Sequence, residues 1–458
     1  MYERALRRDN EYACLTRGVD PALMHRGDRQ RLLQYHQKHV ARAAVDPDCP
    51  PVGPCLMKRI ADARTMMEAC EQLLAKGPTS PGPSDVRTAE LDQSERWSLC
   101  RRLANSVRDG TYRPGPQRRV QIPKAGGTGF RFLTIQGTED RIVGKAAAII
   151  LGPLVERTFS PFSFGFRPGR DPRGALASAL ELARREGRWV WVSADVEKAF
   201  DRVPFAGLLD AGRKHFPEDV IDFITLLAYT GKKHGVRQGS PLSPLLWNVF
   251  ADFFLDRKWH AGHGGLPLFR YADDQLLCCR TCQEAAEAYA DLSRLARSVG
   301  TPLKGSAADS IVDLESGTLL QWLGYGLRCE GERVSVRIRE TAWDELAFGL
   351  AESHLYPASP LRARQVVDGW LNSLGPCYAS ENREAAVERL LATAREYAFE
   401  EIGRPRQLLR RWETAAENWN AVYTEQAGLL DHRLSLVGQA IAGYGSRVSS
   451  VPMRKHAW

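Results

Sequence analysis

The 458-residue chain has no apolar run approaching the roughly 20 residues that cross a bilayer, and its opening, "MYERALRRDNEYACLTRGVD", lacks the apolar core of a secretory leader. Those absences exclude a membrane-embedded chain and predict a cytoplasmic one. Ten cysteines are scattered without a repeating framework, which excludes a disulfide scaffold and suits reduced thiols. Cys279 and Cys282 form one CxxC, but a zinc site wants a second pair or partnering histidines, so this one reads as a packed strand end. No internal repeat is present. What is present is ordinary globular composition, 43% hydrophobic and 26% charged, with a net charge of +8 that leans toward a polyanionic partner.

Length allows two or three domains. The first 55 or so residues are polar and basic and close in the breaker-rich "VDPDCPPVGP". "MKRIADARTMMEACEQLLAKG" then carries Ile60, Met66, Met67, Cys70 and Leu73 on one helical face, and "LDQSERWSLCRRLANSVRDGTY" reads as another helix. "RRVQIP", "FRFLTI" and "RWVWVSADV" read as strands, with helices at "EDRIVGKAAAIILGPLVERTF" and "PRGALASALELARREG". Strands and helices interleave without a strict βαβ rhythm, which predicts an α+β fold. Beyond about residue 340 the pattern is helical. "RPRQLLRRWETAAENWNAVYTE" mixes Arg406, Arg410 and Arg411 with Trp412, Trp419 and Tyr423, either an amphipathic helix with a solvated basic face or a nucleic-acid surface.

The chemistry concentrates in "RYADDQLLCC", where Asp273 and Asp274 interrupt a run that otherwise reads as a buried strand. Two readings follow: a hairpin tip held in water, or a divalent cation bound at that tip. The cation reading needs a further carboxylate. "WVWVSADVEKAFDRV" supplies Asp195 where an alternating apolar run stops, followed by Glu197 and Asp201. Antiparallel pairing of the two strands would set Asp195 beside Asp273 and Asp274, and such a cluster stays ionised only if cations neutralise it. Two hard cations about 3.5 to 4 Å apart on carboxylate oxygens serve in-line phosphoryl transfer, with Mg²⁺ the expected pair and Mn²⁺ a substitute.

"VSADVEKAFDRV", "GVRQGSPLSPLLWNVF", "FRYADDQLL" and "QWLGYGL", in that order, resemble the palm motifs of reverse transcriptases. Upstream, "GTYRPGPQRRVQIPKAGGTGFRFLTIQGTEDRIV" and "FSPFSFGFRPGR" are similar to the fingers of the bacterial group II intron-encoded branch, and "VVDGWLNSLGPCYA" more weakly to its thumb or maturase region. The resemblance implies a right-hand polymerase with an α-helical thumb: a partly helical N-terminal extension at 1–88, fingers and palm at 89–335, a helical thumb at 336–427 and a tail at 428–458.

It also implies roles for single residues. Asp195, Asp273 and Asp274 match the metal-binding aspartates, with the Val196 carbonyl as an added ligand. Phe200 matches the aromatic gate that rejects a ribose 2′-OH, with a plain core role as the other reading. Lys124 and Arg131 match the grip on the incoming triphosphate, although Arg131 could instead pair with Glu139 or Asp140. Gln238 and Gly239 match the loop under the nascent base pair. Nucleic-acid contacts are expected at Arg167, Tyr271, Leu323, Gly324, Tyr325, Arg406, Arg410 and Arg411. The family's lysine before its "LGY" motif is missing in register, leaving Lys304 as the candidate. The implied partners are an RNA template, dNTPs and a DNA product. No His-rich or Cys-rich endonuclease pattern follows residue 380, so the expectation is a host-retained enzyme of antiphage defence or repair. The other readings are a maturase-like RNA-binding scaffold and untemplated nucleotide addition.

Overall fold

The computed structural model describes residues 53–75, 82–83, 87–123, 130–330, 333–356 and 358–445, with the side chains of 53–55, 122–133 and 440–445 left aside. Most of the expected N-terminal extension, Lys124, the Arg131 side chain and the last 13 residues of the expected tail, 446–458, lie outside this set. The chain divides into two compact units. Of the described residues, the first takes those up to Val120, Phe132–Thr158 and Phe205–Val249; the second takes those within Gln121–Arg131, Phe159–Pro204 and those from Phe250 onward.

In the first unit the expected single helix around "MKRIADARTMMEACEQLL" is two, Gly53–Ile60 and Ala63–Leu74. Asp62 makes the break: its backbone is extended and its carboxylate accepts from the Arg64 N–H, capping the second helix. Met66, Met67, Ala69 and Cys70 are then buried facing the helix Thr138–Glu156, whose alanines permit close approach. Strands β1 (Gln117–Pro123) and β2 (Phe130–Gln136) pair as a two-stranded sheet. Asp140 accepts from the Tyr112 hydroxyl at 2.5 Å and from the Gly115 N–H.

The second unit is built on a four-stranded antiparallel sheet of β3 (Val190–Asp195), β4 (Phe269–Tyr271), β5 (Asp274–Cys279) and β6 (Ile311–Asp313), in the order β4-β5-β3-β6. β5 reads as a continuous apolar run because both its faces are covered. Leu276 and Cys278 pack with Trp191, Phe162 and Phe269, whereas Leu277 and Cys279 pack with Val190, Val192, Trp259 and Leu292. A second sheet, β7 (Leu320–Trp322), β8 (Tyr325–Glu330) and β9 (Arg333–Ile338), is followed by helices Glu340–Ser353, Ser359–Ser373, Arg383–Glu396 and Pro405–Gly445.

The breaks expected at 335/336 and 427/428 both fall inside elements. The first cuts β9, and one buried cluster runs from Phe162 and Trp191 through Leu327 to Leu346, Leu390 and Trp412. The second cuts the 41-residue helix Pro405–Gly445, which continues because Leu430 and Val437 repeat the buried spacing of Leu408, Trp412 and Ala415. Among the described residues no helix is long and apolar enough to cross a membrane.

Arg270, at the centre of β4, is fully buried and paired with equally buried Asp256 at 2.8 Å. Its Nε and Nη2 both donate to that carboxylate, Nη2 also to Ser163 Oγ at 2.8 Å, and Nη1 to the Ala272 carbonyl at 3.1 Å. Asp256 closes a π-helical turn, Asp252–Asp256, whose other carboxylate, Asp252, accepts the Ser160 N–H at 2.8 Å and pairs with Arg257. Removing one member of such a pair strands a charge in the interior. Arg270→Met is therefore expected to lower unfolding free energy in urea by about 3–5 kcal/mol, and Arg270→Met/Asp256→Leu by much less.

Candidate active site

The β4–β5 hairpin closes on the pair Tyr271↔Asp274, leaving Ala272 and Asp273 as its two-residue turn. Ala272 has φ +60°, a left-handed conformation that costs a non-glycine residue about 1 kcal/mol or more. The surroundings enforce it. Arg270 holds the Ala272 carbonyl from one side. From the other, Gly165 lies so close that a Cβ there would sit 2.1 Å from the Ala272 nitrogen. Ser163 bridges Arg270 in parallel, and the Phe164 N–H donates to the Arg270 carbonyl at 2.7 Å, so the loop after Phe162 is stitched along β4.

In the β3–β5 register Asp195 stands opposite Asp274, and the Val196 N–H donates to the Asp273 carbonyl at 3.2 Å. The pairing read from sequence is thus the pairing that forms, and all three aspartates share one end of the sheet. Lys304, whose position was off register in the motif, arrives there too. Its N–H donates to the Asp195 carbonyl at 2.8 Å, and its positive charge partly offsets the upward shift of that carboxyl.

The negative charge of the cluster is only partly compensated. Desolvation, then Asp273, pushes Asp195 up to about 6. Desolvation, then Asp195 and Asp273, pushes Asp274 up to about 7. Asp273 is also raised, chiefly by desolvation. Hard oxygen donors that repel one another fit a divalent cation. Among the described residues no three acidic, thiol or imidazole side chains already close around one point. Carboxylate oxygens so placed are the ligand type that hard divalent cations take.

A cleft of about 420 Å³ adjoins Asp274, lined among others by Tyr271, Trp322, Leu323, Gly324 and Arg339. Leu323 and Gly324 form the β7–β8 turn, both with positive φ (48° and 88°), the twist that a tight hairpin favours. Tyr271, Leu323 and Gly324 therefore do line one surface beside Asp274. Phe200, on the four-residue helix Ala199–Arg202 just beyond β3, is partly exposed, and its ring meets that of Phe166 edge-on.

Two expected nucleic-acid contacts are not at the surface. Arg167 is 7% exposed and donates to the Ser160 and Ser163 carbonyls at 2.7 Å each, fastening its own loop. Tyr325 is 4% exposed, its hydroxyl donating to the Ser373 carbonyl. Both are apolar-bodied side chains whose polar tips find backbone acceptors inside. Arg406, Arg410 and Arg411 are exposed, with Arg411 paired to Asp368 at 2.8 Å. In the first unit Gly239 has φ +75°, and a Cβ there would lie 2.0 Å from the Thr134 carbonyl oxygen, so the Gln238–Gly239 loop depends on glycine. Arg270, Asp256 and Gly165 escaped the sequence reading, although an arginine inside an apolar strand signals a buried partner.

The site is thus the end of an antiparallel four-stranded sheet that brings three aspartates together. Residues 122–306 match the model for "Reverse transcriptase (RNA-dependent DNA polymerase)", so that stretch is similar to a reverse transcriptase domain. The chain is 32% identical to Protein YkfC of Escherichia coli (strain K12) over 238 residues, 48% of this chain and 61% of that protein. It is likewise 32% identical to the Group II intron-encoded protein LtrA of Lactococcus lactis subsp. cremoris over 188 residues, 38% of this chain and 30% of that one. The chain thus spans 61% of the first relative and 30% of the second.

The raised carboxyls have a pH signature. A folded-state pKa above the unfolded value means that the native protein holds its protons longer, so stability from this source is present below about pH 4 and is lost as pH rises through about 6 to 7. With metal chelated, Asp274→Asn is expected to melt higher than wild type at pH 8 and level with it near pH 4, by calorimetry. Adding Mg²⁺ at pH 8 should raise the wild-type midpoint and leave Asp273→Ala/Asp274→Ala unmoved.

Proposed function

We propose that the chain is an RNA-directed DNA polymerase that extends a primer hydroxyl with dNTPs. The observation that carries this reading is the register that faces Asp195 with Asp274 across β3 and β5, with Asp273 in the adjoining turn. Asp195, Asp273 and Asp274 would hold two Mg²⁺ ions, with the Val196 carbonyl as a further ligand. When bound, the ions activate the attacking oxygen and steady the leaving pyrophosphate.

The chain's own groups do the positioning. The sheet register and the held turn set the aspartate backbones in advance, which lessens the reorganisation the reaction requires. Phe200 acts as the sugar gate. Lys124 and Arg131 hold the triphosphate, and Gln238 and Gly239 lie under the new base pair. Lys304 supplies positive charge beside Asp195, where charge develops on the departing group. Tyr271 and the Leu323–Gly324 turn bear on the primer strand, with the exposed arginines of Pro405–Gly445 on the duplex backbone. Binding through phosphates predicts affinity that falls steeply with salt.

The test is extension of a labelled DNA primer on an RNA template with four dNTPs and Mg²⁺. Wild type should copy the template to its end, and Asp273→Ala/Asp274→Ala should lose about a thousandfold or more in rate, the several kcal/mol that metal-held charge stabilisation supplies. Equal activity in the variant, or none in wild type, sinks the reading. RNA retained by an inactive wild type would point to a binding scaffold, and extension without template to untemplated addition.

A further inference from the structure

Phe166 has no role assigned so far, and its conformation is costly in two ways. It is a half-exposed aromatic, 52% accessible, and it sits at φ +60°, where a bulky residue with a Cβ rarely goes. Strain of this kind persists only where the neighbouring chain over-determines it. Here it does. On one side Gly165 is pressed against Ala272 with no room for a methyl group. On the other, buried Arg167 ties its guanidinium to the Ser160 and Ser163 carbonyls. With both flanks fixed, Phe166 alone projects outward, and its ring meets Phe200 at 6.3 Å between centroids and 62° between planes, an edge-to-face contact.

Phe200 belongs to a helix of four residues entered through Lys198 at φ +51°. Steric exclusion falls off steeply with distance, so a gate discriminates only as well as its ring is held in place.

We propose that Phe166 is a positioning residue for sugar selection. It braces the Phe200 ring, and because its loop is stitched to β4 and seated on Ala272, it references that ring to the same turn that carries Asp273. The inference rests on the reading of Phe200 as the sugar gate of a polymerase. Its consequence is that the strictness of dNTP over rNTP choice is set jointly by two aromatic residues 34 positions apart.

The experiment measures kcat/KM for a dNTP and for the matching rNTP in primer extension by wild type, Phe166→Ala, Phe166→Tyr, Phe200→Ala and Phe166→Ala/Phe200→Ala, with the thermal midpoint of each. Phe166→Ala is expected to lower the dNTP/rNTP ratio about three- to tenfold, the range one edge-to-face aromatic pair supports. Phe166→Tyr, which keeps the ring, should restore the wild-type ratio. The double variant should discriminate no worse than Phe200→Ala alone, since a brace has nothing left to brace. A wild-type ratio in Phe166→Ala, alongside a lowered one in Phe200→Ala, overturns the brace while leaving the gate. An unchanged ratio in Phe200→Ala overturns gate and brace together, and absence of dNTP extension by wild type overturns the polymerase reading beneath both.

Discussion

The pair Arg270–Asp256 is the interaction on which the site depends. Two charges with no solvent access contribute little net stability, because desolvation consumes most of their attraction. What they supply is geometry. One guanidinium engages a π-helical turn through Asp256, the loop after Phe162 through Ser163, and the hairpin turn through the Ala272 carbonyl. Three segments, one of them 107 residues away, are thereby indexed to one rigid fork, and the aspartates inherit that precision.

The same turn stores two kinds of unfavourable energy, a left-handed alanine and a set of carboxylates pressed together in a poorly solvated place. The crowding of the carboxylates is relieved in part by Lys304, Arg339 and Arg270. A site built this way is repaid when cation and phosphate arrive, so binding and catalysis draw on the same unbalanced charge.

Much of this was legible from sequence because the signals were local or strongly periodic. Asp195 ends an alternating apolar run and Asp273 and Asp274 interrupt another, so their meeting needed only antiparallel pairing, which the register bears out. Other features depend on contacts no local pattern encodes. Arg167 looks like a cation on a glycine- and proline-rich loop, yet nearby carbonyls draw it inside. The helix Pro405–Gly445 overran its expected end because Leu430 and Val437 find a buried surface, overriding the internal glycines at 428, 438 and 443. Asp62 split a pattern that periodicity alone joined, since a capping side chain competes with helix continuation.

The contact between Gly165 and Ala272 carries a further consequence, for how such a sequence can change. With a Cβ at 165 excluded by backbone and not by a side chain that might move, the segments "SFGFRPGR" and "RYADD" cannot vary independently. Any substitution that reshapes the hairpin turn demands a matching shift in a loop more than a hundred residues upstream. The two stretches form a single unit of inheritance, and a chimera that takes one from a relative must take the other with it.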